Sequence, residues 1–333
     1  MTTPRSKRSV RGISLIEILI SMAIGLVVVG AVVVSFVGSG NASRYQAALT
    51  QMNQDAQIAL NMLAREVQLA GYAAPATLTG GVVRYHSLSA TAGPVPETTG
   101  YIFGCDGGTN GVGPFTSPTA ATLACAATSG TASSGLSVVY EADATNTAPT
   151  SAGIPTDCLG ARIGPQQDDA DNIPYYVARN RYFIEVDATS NRRELYCASP
   201  KSPDLSFPTV PASAVAPYPN PQNSIGNQPL VENVQDMQIW YGMRALPLAA
   251  GDRQVIRYLK ASSINALADS NKWNAVISVR ICLLMRSTDP VLKGEDDRTY
   301  QPCDPTAARA TSPDNHLYRP YYTTATLRSK MPL

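Results

Sequence analysis

The sequence predicts an α+β fold, and three patterns among its 333 residues carry this prediction. An apolar run, Gly12–Val37, is long enough for a membrane-spanning helix. An amphipathic helical pattern follows over residues 45–70, and apolar and polar residues alternate in the last third of the chain. Because helices and strands have different side-chain repeats, these patterns predict a long N-terminal helix followed by a β-rich part.

The apolar run has the length of a membrane span, since a bilayer core requires about 20 apolar residues in a helix. Its one ionisable residue is Glu17, and a carboxylate near the centre of a span costs roughly 2.5–3.5 kcal/mol. Glu17 therefore predicts a cationic partner inside an apolar assembly. A secretory signal fits less well, because no small-residue cleavage site ends the run. A plain signal anchor explains neither Glu17 nor Gly12.

The charges on either side of the apolar run predict its orientation. The residues before it include four cations, Arg5, Lys7, Arg8 and Arg11. The first charge after it is Arg44. Because cationic flanks stay in the cytoplasm, the bulk of the chain is expected in the periplasm or outside the cell. The net charge of +1 gives no electrostatic footprint for nucleic acid.

The second helical pattern has one apolar face. Its members recur at steps of three or four residues: Tyr45, Leu49, Met52, Ala56, Ala59, Leu63, Val67 and Ala70. Gly71 is a natural C-terminal stop, and Pro75 opposes continuation. The two helical stretches are either one continuous helix or two helices with a break near Gly38–Asn41.

Strand patterns are short in the middle of the chain and clearest near its end. The predicted strands are Val82–Tyr85, Leu136–Tyr140, a pair formed by Pro174–Val177 and Arg181–Val186, then Arg193–Cys197, Val234–Tyr241, Ala275–Arg286 and Tyr321–Arg328. In Val234–Tyr241 one face carries Met237, Ile239 and Tyr241, and in Ala275–Arg286 one face carries Ile277, Val279, Ile281, Leu283 and Met285. This alternation predicts one buried face in each strand. The proline-rich stretch Ser199–Pro229 is predicted to be a surface excursion.

The N-terminal boundary resembles the class III signal of type IV pilins: a basic leader, Gly12, then Ile-Ser-Leu-Ile-Glu, with the acid at the fifth place. The resemblance implies cleavage after Gly12 by a prepilin peptidase and N-methylation of the new N-terminus, Ile13. Isoleucine stands there where phenylalanine is commoner. It also implies that Glu17 attracts the N-terminal amine of a neighbouring subunit, since opposite charges attract strongly where water is scarce.

Four further segments resemble PilW-like minor pilins: REVQLAGY at the end of the helical pattern, LVENVQDMQIWYG, ISVRICLLMRS and the closing TATLR. The resemblance implies a type IV pilin-like fold, in which a long transmembrane and amphipathic helix packs on an antiparallel sheet with long disulfide-bonded loops. The expected domains are a leader at 1–12, a transmembrane part at 13–37, an amphipathic part at 38–71 and a globular β-rich domain at 72–333.

Six cysteines in an exported chain predict disulfides. They are Cys105, Cys125, Cys158, Cys197, Cys282 and Cys303. Many connectivities are open, and the simplest joins neighbours: 105–125, 158–197 and 282–303. Zinc is the rival interpretation, but the chain has no CxxC motif and only two histidines.

No catalytic or metal-binding fingerprint occurs in the sequence. His86 and His316 are the only histidines, and both are expected on the surface or in loops. Two acidic loops carry oxygen ligands of the kind that Ca²⁺ prefers, although solvated loop charges explain them better. They are Asp168, Asp169, Asp171 and Asn172, and Glu295, Asp296 and Asp297. The sequence therefore predicts no enzyme, no cofactor and no metal.

The pilin resemblance implies a low-copy minor pilin that helps to prime assembly in a tip-like complex and so supports twitching motility and adhesion. The implied partners are the prepilin peptidase, other minor pilins, the major pilin and inner-membrane lipid, with a large tip adhesin as a further candidate. The protein would cross the inner membrane once before joining the pilus at the cell surface. A J-type minor pseudopilin of a type II secretion system is the alternative, followed by a membrane-anchored enzyme or binding protein.

Overall fold

A computed structural model describes residues 12–77, 83–85, 88, 101–107, 114–115, 125–126, 133–167, 174–187, 189–199, 227–248, 253–293 and 298–331. Contacts within the chain divide it into two units, Met1–Thr50 and Gln51–Leu333.

One helix, α1, runs from Leu15 to Leu69 without interruption. The backbone is helical through residues 38–41, where the sequence left a break open. A glycine inside a helix costs only about 1 kcal/mol, so the glycines of this stretch do not end it. The helix stops where Gly71 adopts a positive φ of 73°, a conformation that glycine tolerates because it has no Cβ.

The described residues of the second unit include fourteen strands and one short helix, α2, at Ala261–Asn265. The first eight strands are β1 Pro75–Thr77, β2 Val83–Tyr85, β3 Ile102–Cys105, β4 Gly135–Ala142, β5 Pro165–Gln167, β6 Pro174–Val186, β7 Arg193–Ala198 and β8 Asn227–Val231. The others are β9 Val234–Met243, β10 Arg257–Leu259, β11 Val276–Arg286, β12 Thr299–Tyr300, β13 Ala310–Thr311 and β14 Tyr318–Thr326. Short 3-10 turns cover Lys272–Ala275 and Arg328–Lys330.

Two antiparallel sheets form the body of this unit. The larger has six strands in the order β3-β4-β6-β7-β8, with β5 beside β6. The smaller has four strands in the order β10-β9-β11-β14. Two-stranded ribbons, β1-β2 and β12-β13, complete the described strands. The predicted α+β class with an antiparallel sheet is confirmed.

The helix and both sheets share one apolar core. From Met52 onward the predicted apolar face is buried, whereas Tyr45 at its start is exposed and Leu49 is half-buried. The buried residues of the helix, with Ala70 just after it, are Met52, Ala56, Ala59, Leu60, Leu63, Val67 and Ala70. Strands β9 and β11 contribute alternate residues, including Met237, Ile239, Val279 and Ile281. Burial of apolar surface stabilises this arrangement, so α1 from Met52 onward is part of the globular core.

The prediction of a strand pair at Pro174–Val177 and Arg181–Val186 is wrong. Residues 174–186 form one strand, β6, of 13 residues. Two polar residues, Arg179 and Asn180, lie within this strand. Asn180 is buried, and its side chain makes hydrogen bonds inside the fold. A polar residue in a strand can serve a buried hydrogen bond as well as a turn.

The last strand begins earlier and ends earlier than predicted. It covers Tyr318–Thr326 rather than Tyr321–Arg328, because Leu327 leads into the 3-10 turn at Arg328–Lys330. The two long strands beside it, β9 and β11, lie close to their predicted bounds and pair in antiparallel register, with Ile239 opposite Ile281. Most of the predicted excursion Ser199–Pro229 lies outside the described residues.

Candidate functional site

The N-terminal end of α1 is built around Glu17. Gly12–Ser14 are not helical, and the Ser14 carbonyl accepts hydrogen bonds from the amides of Glu17 (3.0 Å) and Ile18 (3.3 Å). The spacing Ser-x-x-Glu is typical of a helix start. A carboxylate in the first turn is also favoured by the positive end of the helix dipole. The local sequence therefore starts the helix just after Ile13 and places the acid in its first turn.

The surface that follows is apolar on every side. Leu15–Phe36, 22 residues, is long and apolar enough to cross a membrane, and none of it is buried within the chain. Ile13, Leu15 and Phe36 are 73%, 76% and 79% exposed. Large contiguous apolar surfaces on a protein mark contact with lipid or with other proteins. This segment is thus an interaction surface along its whole length.

Glu17 interrupts this surface with one charge. No described residue donates a hydrogen bond to its carboxylate or forms an ion pair with it, and the Ser21 hydroxyl bonds the Glu17 backbone carbonyl instead (2.7 Å). A carboxylate in an apolar medium is stable only when a cation or hydrogen-bond donors accompany it. The described chain thus leaves the Glu17 carboxylate available to a cation from another molecule.

The amphipathic part of α1 is held to the larger sheet by a polar cluster that the sequence did not reveal. The carboxyl oxygens of Glu66 accept hydrogen bonds from the Asn180 amide (2.9 Å) and the Tyr140 hydroxyl (3.3 Å). Tyr182 also hydrogen-bonds this carboxyl. Asn180 in turn accepts a hydrogen bond from the Cys158 amide (3.1 Å). One acid on the helix thereby joins strands β4 and β6.

Burial dominates the electrostatics of this cluster. It raises the pKa of the Glu66 carboxyl, while the hydrogen bonds from Asn180, Tyr182 and Tyr140 act in the opposite direction. Burial also raises the pKa of the Tyr140 and Tyr182 hydroxyls, and the nearby Glu66 adds to the effect. A low dielectric disfavours charge, so the cluster is most stable with its groups neutral.

The helix end is fixed by the backbone. The Gly71 amide donates to the Val139 carbonyl (2.9 Å), and the Ser329 hydroxyl donates to the Ala70 carbonyl (2.7 Å). A Cβ at Gly71 would lie 2.4 Å from the Tyr101 ring. Glycine is therefore needed at position 71 for both its conformation and its size. These contacts join the amphipathic part of α1 to the sheets.

The six cysteines form three disulfides, and none is free. They are Cys105–Cys125, Cys158–Cys197 and Cys282–Cys303, each joining neighbours in sequence. Cys105, Cys197 and Cys282 lie on strands β3, β7 and β11, so each disulfide ties a loop to a strand. A disulfide typically stabilises a fold by about 2–4 kcal/mol.

The remaining candidate residues do not form a site in the part of the chain that the structure describes. His316 places Nδ1 2.8 Å from the Ser287 carbonyl oxygen, which is a structural contact. His86 and both acidic loops lie outside the described residues. Among those that are described, no group of three or more His, Cys, Asp or Glu side chains could hold a metal ion.

Two family models match the chain, one near its N-terminus and one over its C-terminal part. Residues 7–33 match the prokaryotic N-terminal methylation motif. Residues 181–329 match the family of type IV pilus-assembly protein W, PilW. Over these C-terminal residues the chain is similar to PilW. No curated protein and no solved structure matches it significantly.

The two matches cover the expected cleavage boundary and the whole four-stranded sheet. For this PilW-like chain they support a type IV pilus-related minor pilin and indicate a structural component rather than an enzyme. The methylation motif and the apolar helix suggest a membrane-anchored pilin. They also imply interaction with other pilus components and with the prepilin peptidase.

Proposed function

We propose that this PilW-like protein is a low-copy minor pilin that primes assembly of a type IV pilus in a tip-like complex. The observation that carries the proposal is the apolar surface of α1 with Glu17 as its one charge. Such a surface suits a filament core, because it buries apolar area and offers one charge for pairing. The protein acts by presenting its helix as a template for other subunits.

The proposal assigns a role to each residue at the N-terminal boundary. The prepilin peptidase cuts after Gly12, and the amine of Ile13, which is N-methylated, becomes the mature N-terminus. Glu17 then pairs with the N-terminal amine of a neighbouring subunit. This ion pair offsets the free-energy cost of placing a carboxylate and an amine in an apolar core, since each supplies the other with an opposite charge.

The size of the globular part supports a position at the tip. The part of the chain after the helix, residues 72–333, is large for a subunit repeated along a thin shaft, where neighbours crowd on both sides. At the tip one side is free. The proposed partners there are other minor pilins, the major pilin and a large tip adhesin, and the resulting pilus supports twitching motility and adhesion.

A J-type minor pseudopilin of a type II secretion system remains the alternative. Both classes share the helix and the sheet, so the fold does not separate them. The description of the matched family as a type IV pilus-assembly protein favours the pilus.

The test is a clean deletion of the gene in the native host, complemented by the wild-type chain. The proposal expects few or no pili and loss of twitching in the deletion strain, with recovery on complementation. It also expects the labelled full-length protein at one end of sheared filaments. Normal piliation in the deletion strain would overturn the priming role, and even labelling along the shaft would overturn the tip position. Defective secretion with intact pili would favour the alternative.

A further inference from the structure

Strand β14 is an edge of the four-stranded sheet. It pairs with β11 and with no other described strand. Bonds at its two ends show which backbone groups face β11: the Ser287 amide donates to the Leu317 carbonyl, and the Leu327 amide donates to the Ile277 carbonyl. The backbone N–H and C=O groups of successive residues in an antiparallel strand point to opposite edges. In β14, the backbone groups of odd-numbered residues therefore bond to β11, and those of even-numbered residues point away from it.

Three residues therefore present both backbone groups at the free edge: Tyr322, Thr324 and Thr326. Pro320 has no N–H and offers only its carbonyl. Within the described ranges, no hydrogen bond reaches the backbone N–H or C=O of these three residues. The side chains are also exposed, with Tyr322 at 46%. The edge is thus a row of unpaired donors and acceptors about five residues long.

The sequence of β14 lacks most of the features that usually prevent an edge strand from pairing with another chain. Natural edge strands carry charges, prolines or bulges that prevent pairing with other chains. Arg319 and Pro320 protect the start of β14, but Tyr321–Thr326, YYTTAT, has no charge, proline or glycine. Aromatic and β-branched residues of this kind favour strand pairing and aggregation when exposed. Such an edge is stable in a cell when another strand covers it.

We infer that this edge is completed in the assembled pilus by an extended, acidic segment of a different subunit, which adds to the sheet as a fifth strand. The inference rests on the proposed function, because it requires a neighbouring subunit. Addition of a strand gains affinity from backbone hydrogen bonds and specificity from side chains on either side.

Charge around the edge argues for an acidic partner. Exposed arginines lie at both ends of the open segment, Arg319 and Arg328. One acid, Asp304, lies near Tyr322 and, together with burial, raises the pKa of its hydroxyl. The cations outnumber this acid, and charges on opposing strands are favourable when their signs differ.

The same charges argue against a second copy of this chain. If two β14 strands paired antiparallel about Thr324, Arg319 of each copy would lie opposite Ser329 of the other, next to Arg328. If they paired in parallel and in register, each arginine would lie beside its own equivalent. Like charges across strands are destabilising, so self-pairing is disfavoured in both orientations.

The first test compares amide exchange in two samples of the wild-type, full-length chain. One sample is the chain purified alone in detergent, and the other is the chain within complexes extracted from the native membrane and sheared filaments. The inference expects the amides of Tyr322, Thr324 and Thr326 to exchange at least roughly tenfold more slowly in the complexes. Equal exchange in the two samples would overturn it.

The second test uses a matched pair of substitutions. Thr324→Pro removes an outward N–H and leaves the bonds to β11, whereas Thr324→Val keeps the N–H. Proline is expected to prevent recovery of the chain with the complexes while leaving its thermal midpoint within a few degrees, and valine is expected to behave like the wild type. Normal recovery of Thr324→Pro would overturn the inference. If Thr324→Pro fails to fold, the amide exchange of the wild-type chain still tests whether another strand covers the edge.

A photo-crosslinker at Thr326 identifies the occupant in the wild-type background. An acidic segment of another pilus subunit supports the inference, and a second copy of the chain overturns it. The double variant Arg319→Glu, Arg328→Glu should weaken recovery, because it places acid beside acid. If the deletion strain loses its pili but the three amides of the wild-type chain exchange as fast in the complexes as in the chain alone, the edge inference is refuted and the proposed function is not. A chain absent from the filaments would refute both it and the proposed function.

Discussion

Glu66 shows how one residue can link the helix to the sheet. Its carboxyl receives hydrogen bonds from strands β4 and β6, and burial raises its pKa. A carboxyl group with a raised pKa in the folded state stabilises the fold fully below the pKa that it has in the unfolded chain, near 4.5. That contribution is lost as the pH rises through the raised value.

Glu66→Gln should remove the pH dependence of stability that arises from Glu66, because glutamine does not titrate. Its side-chain carbonyl can still accept the hydrogen bond from the Asn180 amide. We expect the free energy of unfolding of the wild type to fall, relative to the variant, as the pH rises above 4.5, the ordinary pKa of the group. Denaturant unfolding of the full-length protein in detergent, monitored through the globular unit, measures this difference. Glu17→Gln is the matched control and should not alter the pH dependence of that unit. If the free energies of unfolding of Glu66→Gln and of the wild type differ by the same amount at every pH, the raised pKa of Glu66 is contradicted.

The sequence could not assign this role to Glu66. Its position on the helix is compatible with a solvated polar face, and nothing local distinguishes it from Gln57 or Arg65. Its partners Tyr140 and Asn180 lie more than 70 residues away in sequence. The signal that could have been used is Asn180 itself, a polar residue inside a run of strand formers. Glu17, in contrast, stands out in the sequence because an acid in an apolar run requires an explanation, and its role stays a prediction.

At the scale of elements, long periodic segments were predictable and short ones were not. Helix α1 and strands β9 and β11 are long enough for their apolar repeats to specify both type and face. Strands β5, β10, β12 and β13 have two or three residues each, too few for a repeat to be recognised. Their places depend on pairing with β6, β9 and each other, which the local sequence does not encode.

The buried face of α1 leads to a prediction about stability. Leu63 is fully buried between the helix and the sheets. Leu63→Ala should lower the free energy of unfolding of the globular unit by about 2–5 kcal/mol, because it removes buried methyl groups and leaves a cavity. Ile58, on the same helix and 61% exposed, is the matched control. Ile58→Ala should change stability by less than about 0.5 kcal/mol. Equal losses in the two variants would show that α1 does not pack by this face.

For the whole molecule, the proposed cleavage site after Gly12 leads to a prediction about processing. A Cβ at Gly12 would meet nothing within 4 Å in the chain. A larger residue there is therefore compatible with the fold, and any effect must arise in another molecule. We expect the mature protein from its native host to begin at Ile13. Gly12→Val should leave the uncut precursor in the membrane, whereas Ser14→Ala should still be cut. Intact mass spectrometry distinguishes these species, and normal processing of Gly12→Val would contradict the proposed cleavage site.

The central claim is that α1 is the assembly surface and that Glu17 docks it against a neighbour. The most direct measurement is the number of pili per cell in a deletion strain complemented with Glu17→Ala, with Ser21→Ala, one turn further along the helix, as the matched control. The account predicts that the Glu17→Ala protein is cut and inserted normally but restores few or no pili, because the amine of the neighbour loses its partner. Ser21→Ala should restore wild-type numbers. Wild-type piliation by a processed and inserted Glu17→Ala protein would contradict the claim.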